Sequence, residues 1–185
     1  MGLLVRDVMN ENIMFVDENT TVDKIAEFMN RQYASCVIVK KRDSAVGIIT
    51  DTDIIKKVVA RNLQPKDVKA REIMSYPLIF VKPDDEIQVA TTKMRMYNIS
   101  RVVVIDDNKN LVGIVTADAI ARTVPELIDI LELKNEIAAE KEKVLKETPE
   151  EESLFGVCDE CGNTSDDLRY VDGKWLCESC REELQ

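Results

Sequence analysis

Hydrophobic and polar positions in the first 125 residues follow one pattern that occurs twice. A short apolar stretch is followed by a segment with apolar residues every three or four positions, then by two β-rich runs joined by a polar turn, and finally by a second helix. The three- to four-residue spacing indicates one face of a helix, and short runs of β-branched residues indicate strands. Each copy is therefore predicted to be β-α-β-β-α, and the fold class α/β (α+β).

The two copies provide corresponding elements. The first copy is predicted to contain a strand at 13–16, a helix that aligns Val22, Ile25, Ala26 and Met29, strands at 36–39 and 46–49, and a helix from about Asp51. The second is predicted to contain a strand at 78–81, a helix that aligns Ile87, Ala90, Met94 and Tyr97, strands at 102–105 and 111–115, and a helix from about Ala117. The run 102–105 suits a strand covered on both faces. Asp85 and Gln88 have the spacing of a capping box.

The copies also match residue by residue. At an offset of 65 residues, RDVM from Arg6 aligns with REIM from Arg71. The second copy has one extra residue in its turn at 106–110, after which GIIT from Gly47 aligns with GIVT from Gly113 at an offset of 66. An internal repeat of this length predicts two similar units that bury their faces against each other. We place them at residues 1–65 and 66–125.

These matching marks resemble the CBS domain, the module named after cystathionine β-synthase. They are the R-[DE]-[VI]-M opening, the strand before the mid-unit turn and the G-h-h-T sequence after it, where h is apolar. Two such domains in tandem resemble a CBS pair, or Bateman module, over about 120 of the 185 residues. The resemblance implies two α/β units packed through their sheets around a pseudo-twofold axis, two clefts between them, and a homodimer.

The end of the third strand in the first copy holds a candidate ligand site. Its sequence GIITDTD, from Gly47 to Asp53, matches a G-h-x-[ST]-x-x-D pattern that in CBS domains resembles the contact to the ribose and phosphate of adenosyl ligands. The Asp53 carboxylate can accept both ribose hydroxyls, and the Thr50 hydroxyl with the first-turn N–H groups can hold a phosphate. The alternative is that Thr50 and Asp53 only cap the helix.

The second copy departs from this pattern. Thr116 is present, but Ala119 stands three residues later, and Asp118 is one place early. We therefore expect one nucleotide per chain, with Thr116 as a weaker candidate contact.

Further ligand contacts are suggested by the resemblance. Arg101 occupies a place that resembles the phosphate-binding position of nucleotide-sensing CBS pairs, such as those of the AMP-activated kinase, although it could instead pair with a surface carboxylate. The base is then expected against Ile13, Met14, Pro77 or Leu78.

The net charge of −10 is unevenly placed. Residues 1–125 hold 18 basic and 17 acidic side chains, a balance of +1, and residues 126–185 hold 7 and 18, a balance of −11. Phosphate affinity comes mostly from Lys and Arg, so nucleic-acid binding by the tail is disfavoured. Lys56, Lys57 and Arg61 are expected on the exposed face of one helix. The chain has no histidine and no evident base–nucleophile pair, so we predict that it is not an enzyme.

Two absences bear on location. No run approaches the roughly 18 apolar residues of a membrane helix, and no signal-peptide pattern is evident. We therefore expect a cytoplasmic protein without membrane contact. Residues 126–152 form an acidic segment without Gly or Pro from Glu126 to Glu147, which predicts a helix packed on the CBS pair or on a dimer mate, or alternatively a solvated linker.

The tail at 153–185 carries a different chemistry. Two C-x2-C pairs, Cys158 with Cys161 and Cys177 with Cys180, can supply one tetrahedral metal site. Between them, Asp172-Gly173 suits a two-residue hairpin turn joining strands at 168–171 and 174–177, and the pattern resembles a zinc ribbon or a short treble clef. Trp175 is expected to cover that hairpin.

Zinc with four thiolates is the predicted occupant, in a structural role because a closed four-ligand site leaves no position for substrate. Iron is the rival, since CDECG from Cys158 to Gly162 resembles one rubredoxin knuckle. A disulfide pair is a third possibility.

Together these patterns predict a regulatory protein. The CBS pair is expected to bind AMP, ADP, ATP or S-adenosylmethionine, and the metal module to contact an unknown protein partner or to stabilise the dimer. The rival functions are an iron-containing redox or electron-transfer protein, a transcription-linked nucleic-acid binder, and a structural scaffold with an empty cleft.

Overall fold

The structure, a computed structural model, describes residues 2–123 and 154–183. The predicted linker segment at 126–152 lies outside the described residues. Each copy of the repeat forms the predicted β-α-β-β-α series. The first copy contains β1 (Phe15–Asp17), α1 (Val22–Arg31), β2 (Cys36–Lys41), β3 (Ser44–Thr50) and α2 (Asp51–Lys57). A 3-10 helix (Val59–Arg61) and a short helix α3 (Ala70–Ile73) follow it. The second copy contains β4 (Phe80–Val81), α4 (Ile87–Met96), β5 (Arg101–Ile105), β6 (Leu111–Thr116) and α5 (Ala117–Thr123).

The two copies build equivalent three-stranded sheets. In each sheet the first strand is parallel to the second, and the second is antiparallel to the third. Val37 faces Ile49 in one sheet and Val103 faces Ile114 in the other. Residues 102–105 are all buried, as expected for a strand covered on both faces. The predicted mixed α/β fold is therefore confirmed.

Helices α1 and α4 bury the apolar faces that their spacing predicted. Val22, Ile25 and Met29 lie in one core cluster, and Ile87, Ala90 and Met94 lie in another. The predicted capping box at Asp85 is wrong: α4 has Glu86 as its N-cap residue, and the Asp85 carboxylate instead accepts a hydrogen bond of 2.7 Å from the backbone N–H of Lys82.

The described residues form two compact units that interleave along the chain. One unit contains residues 2–12 and 79–123, and the other contains residues 13–78 and 154–183. Val5 and Val8 accordingly lie in the core of the unit that holds the second copy, while Ala70 and Ile73 lie in the core of the unit that holds the first. Each copy's R-x-h-M opening therefore packs on the sheet of the other copy. The limits 1–65 and 66–125 remain sequence predictions of where the repeats divide.

The tail adds a third sheet to the unit that contains the first copy. Its elements are β7 (Leu154–Val157), β8 (Thr164–Val171), β9 (Lys174–Leu176) and α6 (Glu178–Glu182), with strand order β7-β8-β9. We call residues 154–183 the ribbon. The predicted small metal-binding fold is confirmed by these strands and by the cysteines that they bring together. Among the described helices, none combines the length and apolar character that crossing a membrane requires.

Candidate ligand and metal sites

The junction between β3 and α2 is a reciprocal cap. The Thr50 hydroxyl accepts a hydrogen bond of 3.1 Å from the backbone N–H of Asp53. Asp53 Oδ2 in turn accepts hydrogen bonds from the backbone N–H of Thr50 at 2.9 Å and from its hydroxyl at 2.7 Å. The capping role that the sequence left open is thus present, and it holds the two side chains of the predicted ligand site against each other.

The second carboxylate oxygen of Asp53 has different partners. Oδ1 lies 2.8 Å from Nζ of Lys57, and the Ser75 hydroxyl donates to it at 3.4 Å. The Lys57 ammonium also donates to the carbonyl of Ile73 at 2.7 Å. The Asp53 side chain is 14% exposed and that of Lys57 32%, so the pair is partly shielded from water. These four residues, Asp53, Lys57, Ile73 and Ser75, are termed the Asp53 cluster.

Sequence reasoning missed both Lys57 and Ser75 as members of this cluster. Lys57 was expected on an exposed helical face, but it lies half-buried because its side chain turns toward Asp53 and the end of α3. The available signal was the acid–base spacing of four residues, which favours an ion pair on a helix. Ser75, 22 residues from Asp53, carried no such local signal.

The corresponding junction of the second copy has half of this arrangement. The Thr116 hydroxyl accepts a 3.1 Å hydrogen bond from the backbone N–H of Ala119. Ala119 has no carboxylate that could accept a hydrogen bond from Thr116 in return. Thr116 therefore caps α5 without forming a reciprocal box.

The predicted ligand residues divide between the two compact units. Thr50, Asp53, Ile13 and Leu78 belong to the unit with the first copy, whereas Arg101 and Thr116 belong to the other and are paired across β5 and β6. Leu78 is 1% exposed. The ligand roles of all six residues remain predictions.

The four tail cysteines lie together, as the sequence predicted. The sulfur atoms of Cys158, Cys161, Cys177 and Cys180 are all within 4.8 Å of one another. The Cys161 and Cys177 sulfurs are 3.8 Å apart. A tetrahedron with metal–sulfur bonds of about 2.3 Å places its sulfurs roughly 3.8 Å apart, so the cluster could hold a metal ion of this kind. All four cysteines are free thiols, and the disulfide alternative is not adopted.

Two tight turns bring these sulfurs together. After Cys158, Gly162 has a φ of +73° and donates its N–H to the carbonyl of Cys158 at 3.0 Å. That left-handed backbone is readily adopted by glycine. Cys177 is the N-cap residue of α6, and its N–H points to the Cys158 sulfur at 3.4 Å.

The local environment distinguishes the thiols. Burial opposes ionisation of Cys158, but hydrogen bonds from the backbone N–H groups of Cys161, Cys177 and Glu160 outweigh it and lower the Cys158 pKa to about 6. A hydrogen bond with Cys177 and, as a smaller contribution, burial raise the pKa of Cys180 to about 12. The environment of Cys158 therefore favours the thiolate, which is the form that binds metal.

The ribbon hairpin turns as its sequence predicts. Asp172 and Gly173 both have positive φ, +48° and +87°, which is the requirement of a two-residue hairpin turn between right-twisted strands. Trp175 lies on this hairpin with its ring centroid 5.1 Å from that of Tyr170.

Strand β7 joins the ribbon to the rest of the unit that contains the first copy, and sequence reasoning missed it. Phe155 exchanges two backbone hydrogen bonds with Leu78, of 2.8 and 3.0 Å. The Tyr76 hydroxyl donates to the carbonyl of Val157, and the hydroxyls of Ser44 and Thr164 are 3.0 Å apart. The apolar sequence LFGV before Cys158 was the available signal, but its bridge partner Leu78 lies 77 residues before Phe155 in the chain.

Comparison with known proteins gives this architecture a context. The CBS domain family matches residues 5–60 and 70–126. An uncharacterized protein of Methanopyrus kandleri is 36% identical over 181 residues, which are 97% of this chain and 91% of that protein. A CBS domain protein of unknown function from Thermoplasma acidophilum has a similar structure, with a TM-score of 0.67, 27% identity, and coverage of 93% of this chain and 90% of that one.

A second solved structure contains ligands. It is a CBS domain pair in complex with 5′-methylthioadenosine and S-adenosyl-L-methionine, 29% identical to this chain with a TM-score of 0.61. The similarity covers 68% of this chain and 98% of that one.

Proposed function

Since the chain belongs to the CBS-domain family, we propose that it is a regulatory protein that senses an adenosyl ligand at the Asp53 cluster of its first copy. The observation that carries the proposal is the Asp53 carboxylate, fixed by its cap with Thr50 and presenting Oδ1 to a serine hydroxyl and a lysine. The CBS pair bound to 5′-methylthioadenosine and S-adenosyl-L-methionine supports an adenosyl ligand.

The chemistry of the cluster suits a ribose. Its two hydroxyls are hydrogen-bond donors, and a carboxylate accepts two donors at once. The Ser75 hydroxyl and the Lys57 ammonium both contact Oδ1 and hold the carboxylate in place. Ribose hydroxyls would donate to Asp53 beside them, and a hydrogen bond to an ionised carboxylate is about twice as strong as one between neutral groups.

The other ligand contacts are proposals of the same kind. Arg101 is proposed to bind a phosphate if the ligand is AMP, ADP or ATP, and Ile13 and Leu78 to contact the base. Thr116 lacks a partner carboxylate three residues later, so we propose one ligand per chain. We further propose that the chain acts as a homodimer without catalytic activity and transmits ligand binding to a protein partner.

Isothermal titration calorimetry, in which the protein is titrated with one ligand at a time, tests the ligand site. The five ligands are AMP, ADP, ATP, S-adenosylmethionine and 5′-methylthioadenosine. We expect one of them to bind wild type and to lose at least tenfold in affinity in Asp53→Asn, which removes the charge but keeps the side-chain shape. A saturating ligand at 100 times its Kd would also raise stability by about 2.7 kcal/mol. Asp118→Asn is the matched control, because Asp118 is an exposed carboxylate in the first turn of the equivalent helix. Equal affinity in Asp53→Asn and wild type would remove Asp53 from the site.

We propose zinc as the structural metal of the ribbon. Four sulfurs that lie within 4.8 Å of one another can close the coordination shell of one ion, and such sites contribute folding energy without an open position for substrate. Elemental analysis of purified protein should find one zinc per chain. The absorption spectrum of the same protein should show no band in the visible range. Cys36→Ser, which alters a cysteine outside the cluster, should retain the metal. A red protein containing iron would instead favour the redox function.

A further inference from the structure

Residues 75–78 contact both candidate sites, and we call them the connecting segment. At its first residue, the Ser75 hydroxyl donates to Asp53 Oδ1. At its last, Leu78 shares two backbone hydrogen bonds with Phe155 of the ribbon. The Asp53 cluster and the ribbon are thus joined by four consecutive residues of one compact unit.

The connecting segment is packed tightly against β7. A Cβ added at Gly156 would lie 3.0 Å from Cε2 of Tyr76 and 3.4 Å from Cβ of Pro77, so these two side chains lie directly against the backbone of Gly156. Phe155 and Leu78 are 2% and 1% exposed. The Tyr76 hydroxyl binds the carbonyl of Val157, the residue before the first cysteine of the cluster. A displacement of β7 would therefore change the contacts of Tyr76, Pro77 and Leu78, which follow Ser75 directly in the chain.

Whether β7 is folded depends on the metal site. The ribbon has about 30 residues, too few for a stable core of their own, and small four-cysteine modules fold together with metal binding. Cys158 follows β7 directly, so β7 is anchored by the first ligand of the cluster.

We propose that metal occupancy of the four-cysteine cluster controls ligand binding at the Asp53 cluster through the connecting segment. This inference rests on the proposed adenosyl function. Without metal, β7 detaches from Leu78, Tyr76 loses its acceptor, and Ser75 is left with its backbone pairing to Ile48, whose two hydrogen bonds are 2.8 and 3.1 Å. The Ser75 hydroxyl, which donates to Asp53 Oδ1, then shifts together with the groups that accept hydrogen bonds from Lys57. The site therefore no longer holds Asp53 and Lys57 in the positions that suit a ribose.

Two-way coupling follows from thermodynamics. If metal raises the affinity for the adenosyl ligand, the ligand must raise the affinity for metal by the same factor. Couplings between sites in proteins commonly amount to about 5- to 150-fold. The protein would then report an adenosyl ligand only when its metal site is filled.

Hydrogen–deuterium exchange on ligand-free, full-length protein gives the first test. We expect removal of the metal with a chelator to speed exchange at 50–57 and 75–78, while α1 and the equivalent second-copy segment 116–123 stay unchanged. Tyr76→Phe, which removes the hydroxyl bond to Val157, should speed exchange at 50–57 even with metal bound. The control Tyr170→Phe alters an exposed ribbon tyrosine and should have no effect.

Titration with 5′-methylthioadenosine and S-adenosylmethionine gives the second test. We expect at least a fivefold weaker Kd after chelation, with an equal change in zinc affinity when the ligand is present. Unchanged exchange at 50–57 after chelation would overturn the coupling, as would faster exchange throughout α1, which would mean that the whole unit unfolds. Changed exchange at 50–57 with no binding of these two compounds or of AMP, ADP and ATP would support the coupling and reject the proposed adenosyl function.

Discussion

The two copies end their third strand alike and then diverge. Thr50 and Thr116 each accept a 3.1 Å hydrogen bond from the backbone N–H three residues later. Where the first copy has Asp53, the second has Ala119. The Asp53 carboxylate completes the cap by accepting a hydrogen bond from the N–H of Thr50, and its other oxygen contacts Lys57 and Ser75.

This difference separates the requirement of the fold from that of a site. A threonine is enough to begin the helix, since α5 forms with Thr116 alone. The carboxylate adds a half-buried polar cluster that the fold of the second copy does without. The same unit also carries the ribbon, so both candidate functions are concentrated on the first copy.

The largest expected effect concerns the ribbon. Cys158→Ser should abolish metal binding and unfold residues 154–183, because binding energies on the order of 10 kcal/mol support such modules. Helix α1, in the remainder of that unit, should keep its protection, and the unit with the second copy should be unaffected. The metal content of the variant, and its hydrogen–deuterium exchange followed as the temperature is raised, measure these changes. Cys36→Ser is the control, and a ribbon that stays protected in Cys158→Ser would refute the metal-dependent fold.

The glycines that precede the two junctions give an intermediate effect. A Cβ at Gly47 would meet Met74 Sδ at 2.7 Å and the backbone oxygen of Ser75 at 3.0 Å, whereas at Gly113 the near atoms all belong to the Met9 side chain. A methionine side chain can move, but a backbone carbonyl held in a bridge cannot easily do so. Gly47→Ala should therefore destabilise by about 1–3 kcal/mol and Gly113→Ala by less. Urea unfolding compares them, and equal losses would contradict the explanation.

Exchanging the junction residues gives the smallest effect. Asp53→Ala removes the reciprocal cap and should lower stability by about 1 kcal/mol. Ala119→Asp should raise it by roughly 0.5 kcal/mol if the new carboxylate bonds the N–H of Thr116. Thermal melting of the two variants and the double variant measures both changes. A loss of stability in Ala119→Asp would show that the second junction has no room for the box.

The regular elements were predictable because their signals are local. The predicted first residues of α2 and α5, Asp51 and Ala117, are those observed, since each helix follows a strand ending in threonine. The hairpin at Asp172 and Gly173 was equally local, because the turn depends on the φ angles of two adjacent residues. The Asp85 box was mispredicted because that carboxylate found a nearer donor in the N–H of Lys82.

The missed features all depend on residues that are distant in sequence. Strand β7 contacts residues outside the ribbon because Phe155 pairs with Leu78, and Lys57 is partly buried because it donates to the carbonyl of Ile73. Neither partner can be identified from periodicity, which reports only the face a residue shares with its neighbours.

The sequence by itself determined the repeat, the order of strands and helices in each copy, and the four cysteines that lie together in the ribbon, because spacing along a helix, strand or knuckle fixes these locally. Only the tertiary structure decided that each R-x-h-M opening packs with the other copy, that Asp53 shares its carboxylate with Lys57 and Ser75, and that the ribbon belongs to the unit that contains the first copy. Those outcomes depend on which buried surfaces and backbone edges meet after folding, and that choice is made by packing of the whole unit.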